Sequence, residues 1–299
     1  MQPNAVSENV SLTSYQPFAE RNRTVTLEEA STLQLHDNLP RIDGATALYP
    51  LYAAFVQAVY PEDDYYPLRT STVNYPLVTS STTALAFTRL INGDVDVIFT
   101  AMPSESQFQA VAERGLEFHM TPIGREAFVF FVNRRNPISN LTTEEIIKIY
   151  TGQITNWSEL GGTRDNIRVY QRARNSGSQT MLEHIMGDNE LIEAPTEDVY
   201  IFMRGIVEQT ASYRNFRTAL GYSFLFYTTQ MVQNNEIKLL SINGIYPSRE
   251  SIIDNTYPYS DVFYAITINT DNENVNKLIE WILSDQGQYL VEKTGYVPY

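Results

Sequence analysis

An α/β fold is what this sequence predicts, and three observations predict it. From Leu39 onward, apolar runs of strand length alternate with stretches whose apolar residues recur at helical spacing. Ser, Thr and Gly punctuate the joins between them. Hydrophobic residues are 43% of the 299 residues and charged residues 19%, a composition that excludes a disordered chain. Strand and helix in alternation imply mostly parallel sheets covered by helices. The length fits one large domain or two ordinary ones.

Residues 1–38 are polar, lack sustained periodicity and read as an N-terminal extension or tether. Regular alternation begins at Asn38-Leu39-Pro40-Arg41-Ile42, which leads into Asp43-Gly44-Ala45-Thr46. Residues 47–55 follow with helical spacing, and Pro50 suits a first helical turn, where its missing N–H is no loss. A second unit runs from a Thr79-Ser80-Ser81-Thr82-Thr83 turn into a helix over 84–91, stopped by Asn92-Gly93. Residues 95–99 form a buried strand. Residues 127–132 are continuously apolar, which fits a strand covered on both faces. Thr142 and Glu145 have capping-box spacing ahead of Ile146, Ile147 and Ile149, and Gly152 ends that helix. A short strand at 168–170 leads through Arg172 and Ser176-Gly177-Ser178 into a stripe of Met181, Leu182, Ile185 and Met186. A late strand spans 262–267 and a late helix 275–283.

Composition removes several classes of function. There is no cysteine, so disulfides, thiol nucleophiles and thiolate metal sites are excluded. Asp+Glu is 35 against 21 Lys+Arg, a net charge of −14, which disfavours nucleic acid and anionic membranes as partners. The longest apolar run, residues 45–60, is broken by Pro50 and Gln57 and falls short of the ~20 residues a bilayer core needs. Met1-Gln2-Pro3-Asn4 opens no basic-then-apolar leader, so a leader is expected to have been removed if the protein is exported. His36, His119 and His184 lack metal-ligand spacing, and neither a P-loop nor a GxSxG elbow occurs. No cofactor is expected. The tyrosines Tyr49, Tyr52, Tyr60, Tyr65, Tyr66 and Tyr75, with Tyr257 and Tyr259, read as core, or else as a cleft wall or docking face. Glu62-Asp63-Asp64 reads as a solvated acidic loop.

Three turns share one grammar of strand, small polar turn and helix: Gly44-Ala45-Thr46, Ser81-Thr82-Thr83 and Ser176-Gly177-Ser178. Ser and Thr there serve as N-caps. The same positions can instead offer N–H and O–H donors to an anion at the positive end of a helix. Gly177 admits close backbone approach, and Arg172, four residues before Ser176, carries a fork that matches an oxyanion.

The chain resembles the periplasmic phosphate-binding proteins of ABC importers, within the type II solute-binding superfamily, over residues 38–299. The resemblance rests on Asp43-Gly44-Ala45-Thr46, Asn92-Gly93-Asp94-Val95-Asp96, Pro122-Ile123-Gly124-Arg125-Glu126-Ala127 and Ile149 through Trp157. It continues in Arg172 through Ser178, Leu220-Gly221-Tyr222-Ser223, Gln286-Gly287 and Gly295-Tyr296-Val297-Pro298. It implies two α/β lobes joined by a two-strand hinge, lobe one at 39–125 and 258–299 and lobe two at 126–257. It implies a bound oxyanion held by Thr46, Ala47, Thr82 and Thr83 from lobe one and by Arg172, Ser176, Gly177 and Ser178 from lobe two. It further implies extracytoplasmic, non-enzymatic capture of inorganic phosphate by a monomer, with delivery to an ABC permease. A ligand-sensing or surface-interaction protein of the same fold is the alternative.

Two positions depart from the family pattern. Members selective for phosphate place an Asp where this chain has Ala101, and a second acid where it has Arg174. The Asp accepts the proton of hydrogen phosphate and repels an anion without one. Its replacement implies weaker rejection of sulfate.

Overall fold

The computed structural model describes residues 10–62 and 77–299. The chain divides into two compact units, the first Ser11–Arg125 with Val262–Tyr299, the second Glu126–Asp261. Tyr65, Tyr66, Tyr75, Asp63 and Asp64 lie outside the described residues.

The first unit opens with β1 (Ile42–Gly44), α1 (Tyr49–Val59), α2 (Thr83–Asn92), β2 (Val97–Thr100) and α3 (Glu105–Ala112). Strand β3 (His119–Asn133) carries the chain across the boundary at Arg125–Glu126. The second unit continues with α4 (Thr143–Tyr150), β4 (Arg168–Val169), β5 (Gln171–Arg172), α5 (Gly177–Met186), β6 (Val199–Tyr200), α6 (Met203–Ala211), β7 (Ala219–Phe224) and β8 (Ile237–Leu239). Strand β9 (Ser260–Thr267) brings the chain back, and α7 (Glu273–Ile282), α8 (Asp285–Thr294) and β10 (Val297–Pro298) complete the first unit.

In the first unit β1 runs parallel to β2, Gly44 opposite Phe99, and Val78 bridges Ile42 on the other side of β1, also parallel. Ring packing fixes α1 to this sheet: Tyr52 stacks on Phe99 at 5.3 Å between centroids, and Phe55 meets Phe99 and Trp281. Tyr52 and Phe55 are fully buried, each contributing roughly 1.5–3 kcal/mol of transfer free energy. The far face of β2 receives α2 through Ile98, Ala86, Phe87 and Leu90. Gly93 closes α2 in the left-handed region at φ 75°, as its position after the last apolar residue predicts.

In the second unit β7 pairs antiparallel with β3, Phe224 opposite Phe128, and parallel with β4, Leu220 opposite Val169. Residues 127–132 are all buried, which accounts for their unbroken apolar run. The capping box of α4 forms: Thr142 Oγ1 accepts from the Glu145 N–H, and the Glu145 carboxylate accepts from the Thr142 N–H.

Two differences from the sequence reading have physical causes. The sheets are mixed, since β9 is antiparallel to β2 and β3 is antiparallel to β7 and β8; an apolar run fixes burial and carries no direction. Helices α3, α6 and α8 do not announce themselves, because each is short and polar on much of its surface. Residues 11–38 pack on the first unit: Tyr15 and Leu35 are buried, and the Leu35 N–H donates to the Val59 carbonyl at 2.8 Å. No helix among the described residues is long and apolar enough to cross a membrane.

Candidate functional site

The first unit gathers its candidate donors at the carboxyl ends of three adjacent parallel segments. The chain leaves the sheet after Thr79, after Gly44 and after Thr100, which pairing places side by side. Ligands of α/β sheets bind at this end because strand-to-helix turns expose backbone N–H groups there. Asp43 ties the turns together. Its carboxylate is fully buried and accepts from the Gly44 N–H at 2.8 Å, the Ser81 N–H at 2.8 Å and Ser81 Oγ at 2.6 Å. It also pairs with Arg89 from α2, which donates to Thr79 Oγ1 at 2.6 Å. One buried anion therefore holds the β1 turn, the 79–83 turn and α2 in register.

Within that frame Thr46 opens a 3₁₀ turn, Thr46–Leu48, ahead of α1, and its Oγ1 accepts from Ser80 Oγ at 3.4 Å. Ala47 is buried, and its carbonyl accepts from the Tyr296 hydroxyl. Thr83 is the first residue of α2 and is buried. Thr82, its N-cap, makes no side-chain cap bond and sits at φ 94°, ψ 156°, a region that disfavours any side chain. The N-cap residue Ala45 of the 3₁₀ turn has no capping side chain either. Both turns thus start helical structure without a bond from the cap side chain, and N–H groups at a helix start are natural donors to an anion. The structure brings Thr46 beside the 79–83 turn, which leads directly into Thr82 and Thr83. Thr79, Ser80, Ser81 and Arg89 also line a groove of about 610 Å³ with Leu12 and Leu85. Thr46 and Thr83 are not part of its lining, although Thr46 bonds Ser80, which is.

The second unit gathers Arg172, Ser176, Gly177 and Ser178 at the start of α5. Arg172 ends β5, which pairs parallel with β6, Arg172 opposite Tyr200. Its Nε donates to the Tyr200 carbonyl at 3.0 Å, one terminal nitrogen to the Ile201 carbonyl at 2.6 Å, and the other to Ser178 Oγ at 3.1 Å. Among the described residues no carboxylate lies within ion-pair distance of it. Burial pulls its guanidinium down to about 10, and the phenols of Tyr222 and Tyr227 oppose that shift. It remains a cation at neutral pH, held by neutral acceptors that use three of its N–H groups, with five available on the fork.

Gln179 builds the floor of this turn. Its side-chain oxygen accepts from the Arg172 N–H at 2.9 Å and from the Tyr222 hydroxyl at 2.6 Å. Ser176 caps α5 through a long 3.4 Å bond from the Gln179 N–H. Asn175, before it, takes the left-handed conformation at φ 63°. Gly177 and Ser178 are buried. Sequence reading passed over Gln179, Tyr222 and the two carbonyls. The carbonyls have no sequence signal. Gln179 directly follows the Ser176-Gly177-Ser178 turn in a polar run, Ser178-Gln179-Thr180, and nothing local marks it out.

Ala101 follows β2 half-buried, and Arg174 is exposed in the turn after β5. No group of His, Asp and Glu able to hold a metal occurs among the described residues. His119 instead bonds Asn269 Oδ1 at 2.8 Å on the surface. Tyr49, Tyr52, Tyr60, Tyr257 and Tyr259 are buried core residues.

Two α/β units traversed by the same two strands, with donor-rich turns at helix starts, define the type II periplasmic binding protein fold. The chain belongs to the PBP superfamily: residues 31–286 match the PBP superfamily domain. It is 26% identical over 215 residues to the phosphate-binding protein PstS of Borreliella burgdorferi, covering 69% of this chain and 75% of that protein. It is 23% identical over 259 residues to PstS of Bacillus subtilis, covering 86% and 79%. An ABC-type phosphate transport receptor from Vibrio cholerae shares the fold with TM-score 0.63 at 23% identity, over 86% of this chain and 99% of that one.

Proposed function

We propose that this protein captures inorganic phosphate, or a closely related tetrahedral oxyanion, outside the cytoplasm and delivers it to an ABC permease. The two units act as lobes. Thr46, Ala47, Thr82 and Thr83 supply donors from one, and Arg172, Ser176, Gly177 and Ser178 from the other. The observation that carries this reading is Arg172: a buried cation at a helix start, with no carboxylate partner among the described residues. Burying a charge without a counter-ion is costly, and a bound anion offsets that cost. The relatives named PstS and the Vibrio cholerae receptor support phosphate as the anion.

The net charge of −14 does not oppose this. Exposed charges are screened beyond ~8 Å at physiological salt, whereas buried N–H and O–H dipoles act at contact distance. The protein works as a monomer, and closure follows from contacts that the anion makes with both lobes at once. With Ala101 and Arg174 in place of acids, those two positions supply no carboxylate that would repel a proton-free anion. Discrimination against sulfate is therefore relaxed.

Calorimetric titration at pH 8 tests both parts. Phosphate is expected to bind, with sulfate weaker by less than about a thousandfold. A larger preference would overturn the relaxed selectivity, and no binding of either anion would overturn capture itself.

A further inference from the structure

The second unit carries an arginine–aromatic surface that the anion site does not use. The Asn133 side chain donates to the Ala211 carbonyl at 3.0 Å, which holds the turn after β3 against the end of α6. The turn presents Arg134 and Arg135; the loop after α6 presents Tyr213, Arg214, Phe216 and Arg217. Tyr213 and Phe216 stack at 5.4 Å with 25° between planes. The Arg135 guanidinium lies over both rings, 5.7 Å from Tyr213 and 6.0 Å from Phe216. Tyr213 is 74% exposed, although large aromatic rings are ordinarily covered. Asn215, buried beneath the loop, bonds back to the Gln209 carbonyl at 3.1 Å, so the platform is built rather than loose.

Its charge is inverted relative to the chain. The two segments carry four exposed arginines on a protein of net charge −14. Arg134 already holds Glu236 at 3.3 Å and Arg217 holds Asp165 at 2.8 Å, while Arg135 and Arg214 have no ion pair among the described residues. Arg and Tyr around a stacked ring are the residue types that dominate binding energy at protein interfaces. The surface lies at the Ala219 end of β7, whereas Arg172 lies toward the other end, where Tyr222 reaches Gln179. An occupant here leaves the anion site open.

We infer that this surface docks an acidic segment of a partner protein, whose carboxylates engage Arg135 and Arg214 while an adjacent apolar group covers Tyr213. Two arginines of the patch already bind carboxylates, which sets the ligand chemistry. An anionic membrane fits less well. It is an extended plane that meets the acidic remainder of the molecule, whereas a compact segment interacts only within a Debye length of the patch.

The test is fluorescence anisotropy of the full chain with labelled oligoglutamate, and with a neutral Gly-Ser peptide of equal length. Sedimentation with vesicles of phosphatidylglycerol in phosphatidylcholine runs beside it. Oligoglutamate is expected to bind saturably at low salt, and the R135A/R214A double variant to bind it about tenfold more weakly with unchanged thermal melting. Tyr213→Ala is expected to leave its salt dependence intact. Equal binding of the neutral peptide, or unchanged binding by the double variant, would overturn the inference. Vesicle binding without peptide binding would also overturn it, in favour of lipid.

Discussion

Arg172 donates to Ser178 Oγ at 3.1 Å, so the one buried guanidinium of the α5 turn rests on a neutral hydroxyl. A carboxylate in that place would cancel the charge an anion needs. Ser178→Asp is therefore expected to weaken phosphate binding by about a hundredfold or more, roughly 3 kcal/mol, without lowering the melting temperature. Calorimetry and a thermal melt of the same sample check it. Retained affinity would mean that Arg172 does not face the anion.

Asp43 is expected to matter more for shape than for contact. Asp43→Asn keeps one acceptor oxygen, turns the other into a donor and removes the charge that pairs with Arg89, and should cost about 3 kcal/mol in urea unfolding. The 79–83 turn then loses its anchor, so anion affinity falls with stability. The double variant D43N/R89L separates the two effects, because it removes the stranded cation and should recover part of the stability.

Thr82 stores strain at φ 94°. Such a conformation costs a side-chain-bearing residue about 1–3 kcal/mol, and glycine adopts it freely. Thr82→Gly is expected to raise the melting temperature. If Thr82 also donates its hydroxyl to the anion, the same variant loses affinity while gaining stability. A drop in stability would contradict the strain.

Glu126 gives a pH dependence. Its carboxyl is buried at the start of the second unit and accepts from the Phe226 N–H at 2.5 Å; burial raises it from 4.5 to about 8, and that hydrogen bond opposes the rise. Between those values the folded chain keeps a proton that the unfolded chain has released. This contribution to stability is thus fully present below about pH 4.5 and is lost as the pH climbs through 8. Glu126→Gln keeps an acceptor for Phe226 and cannot ionise. Urea unfolding at pH 5 and pH 8 should show a smaller decline for the variant than for the parent chain.

Much of the fold was legible because burial imposes periodicity. The apolar run 127–132, the capping box at Thr142 and the glycine stop at Gly93 each follow from local chemistry that tertiary contacts leave in place. Strand direction was not legible, since β3 and β9 look alike to an antiparallel or a parallel neighbour. The donor turns were readable as types, Ser/Thr/Gly before a helix. What separates a donor turn from an ordinary cap is long-range: Asp43 reaching Ser81 and Arg89, and the Tyr200 and Ile201 carbonyls reaching Arg172. Those partners are 28 to 46 residues apart along the chain, beyond any local pattern.

The most direct measurement is a crystal structure grown with arsenate, a tetrahedral phosphate analogue whose anomalous signal marks its position. One arsenate is expected per chain, with Thr46 and Thr83 from the first unit and Arg172 and Ser176 from the second all at ~2.7–2.9 Å from its oxygens. Arsenate held by one unit alone, or absent from both turns at saturating concentration, would contradict a shared anion site.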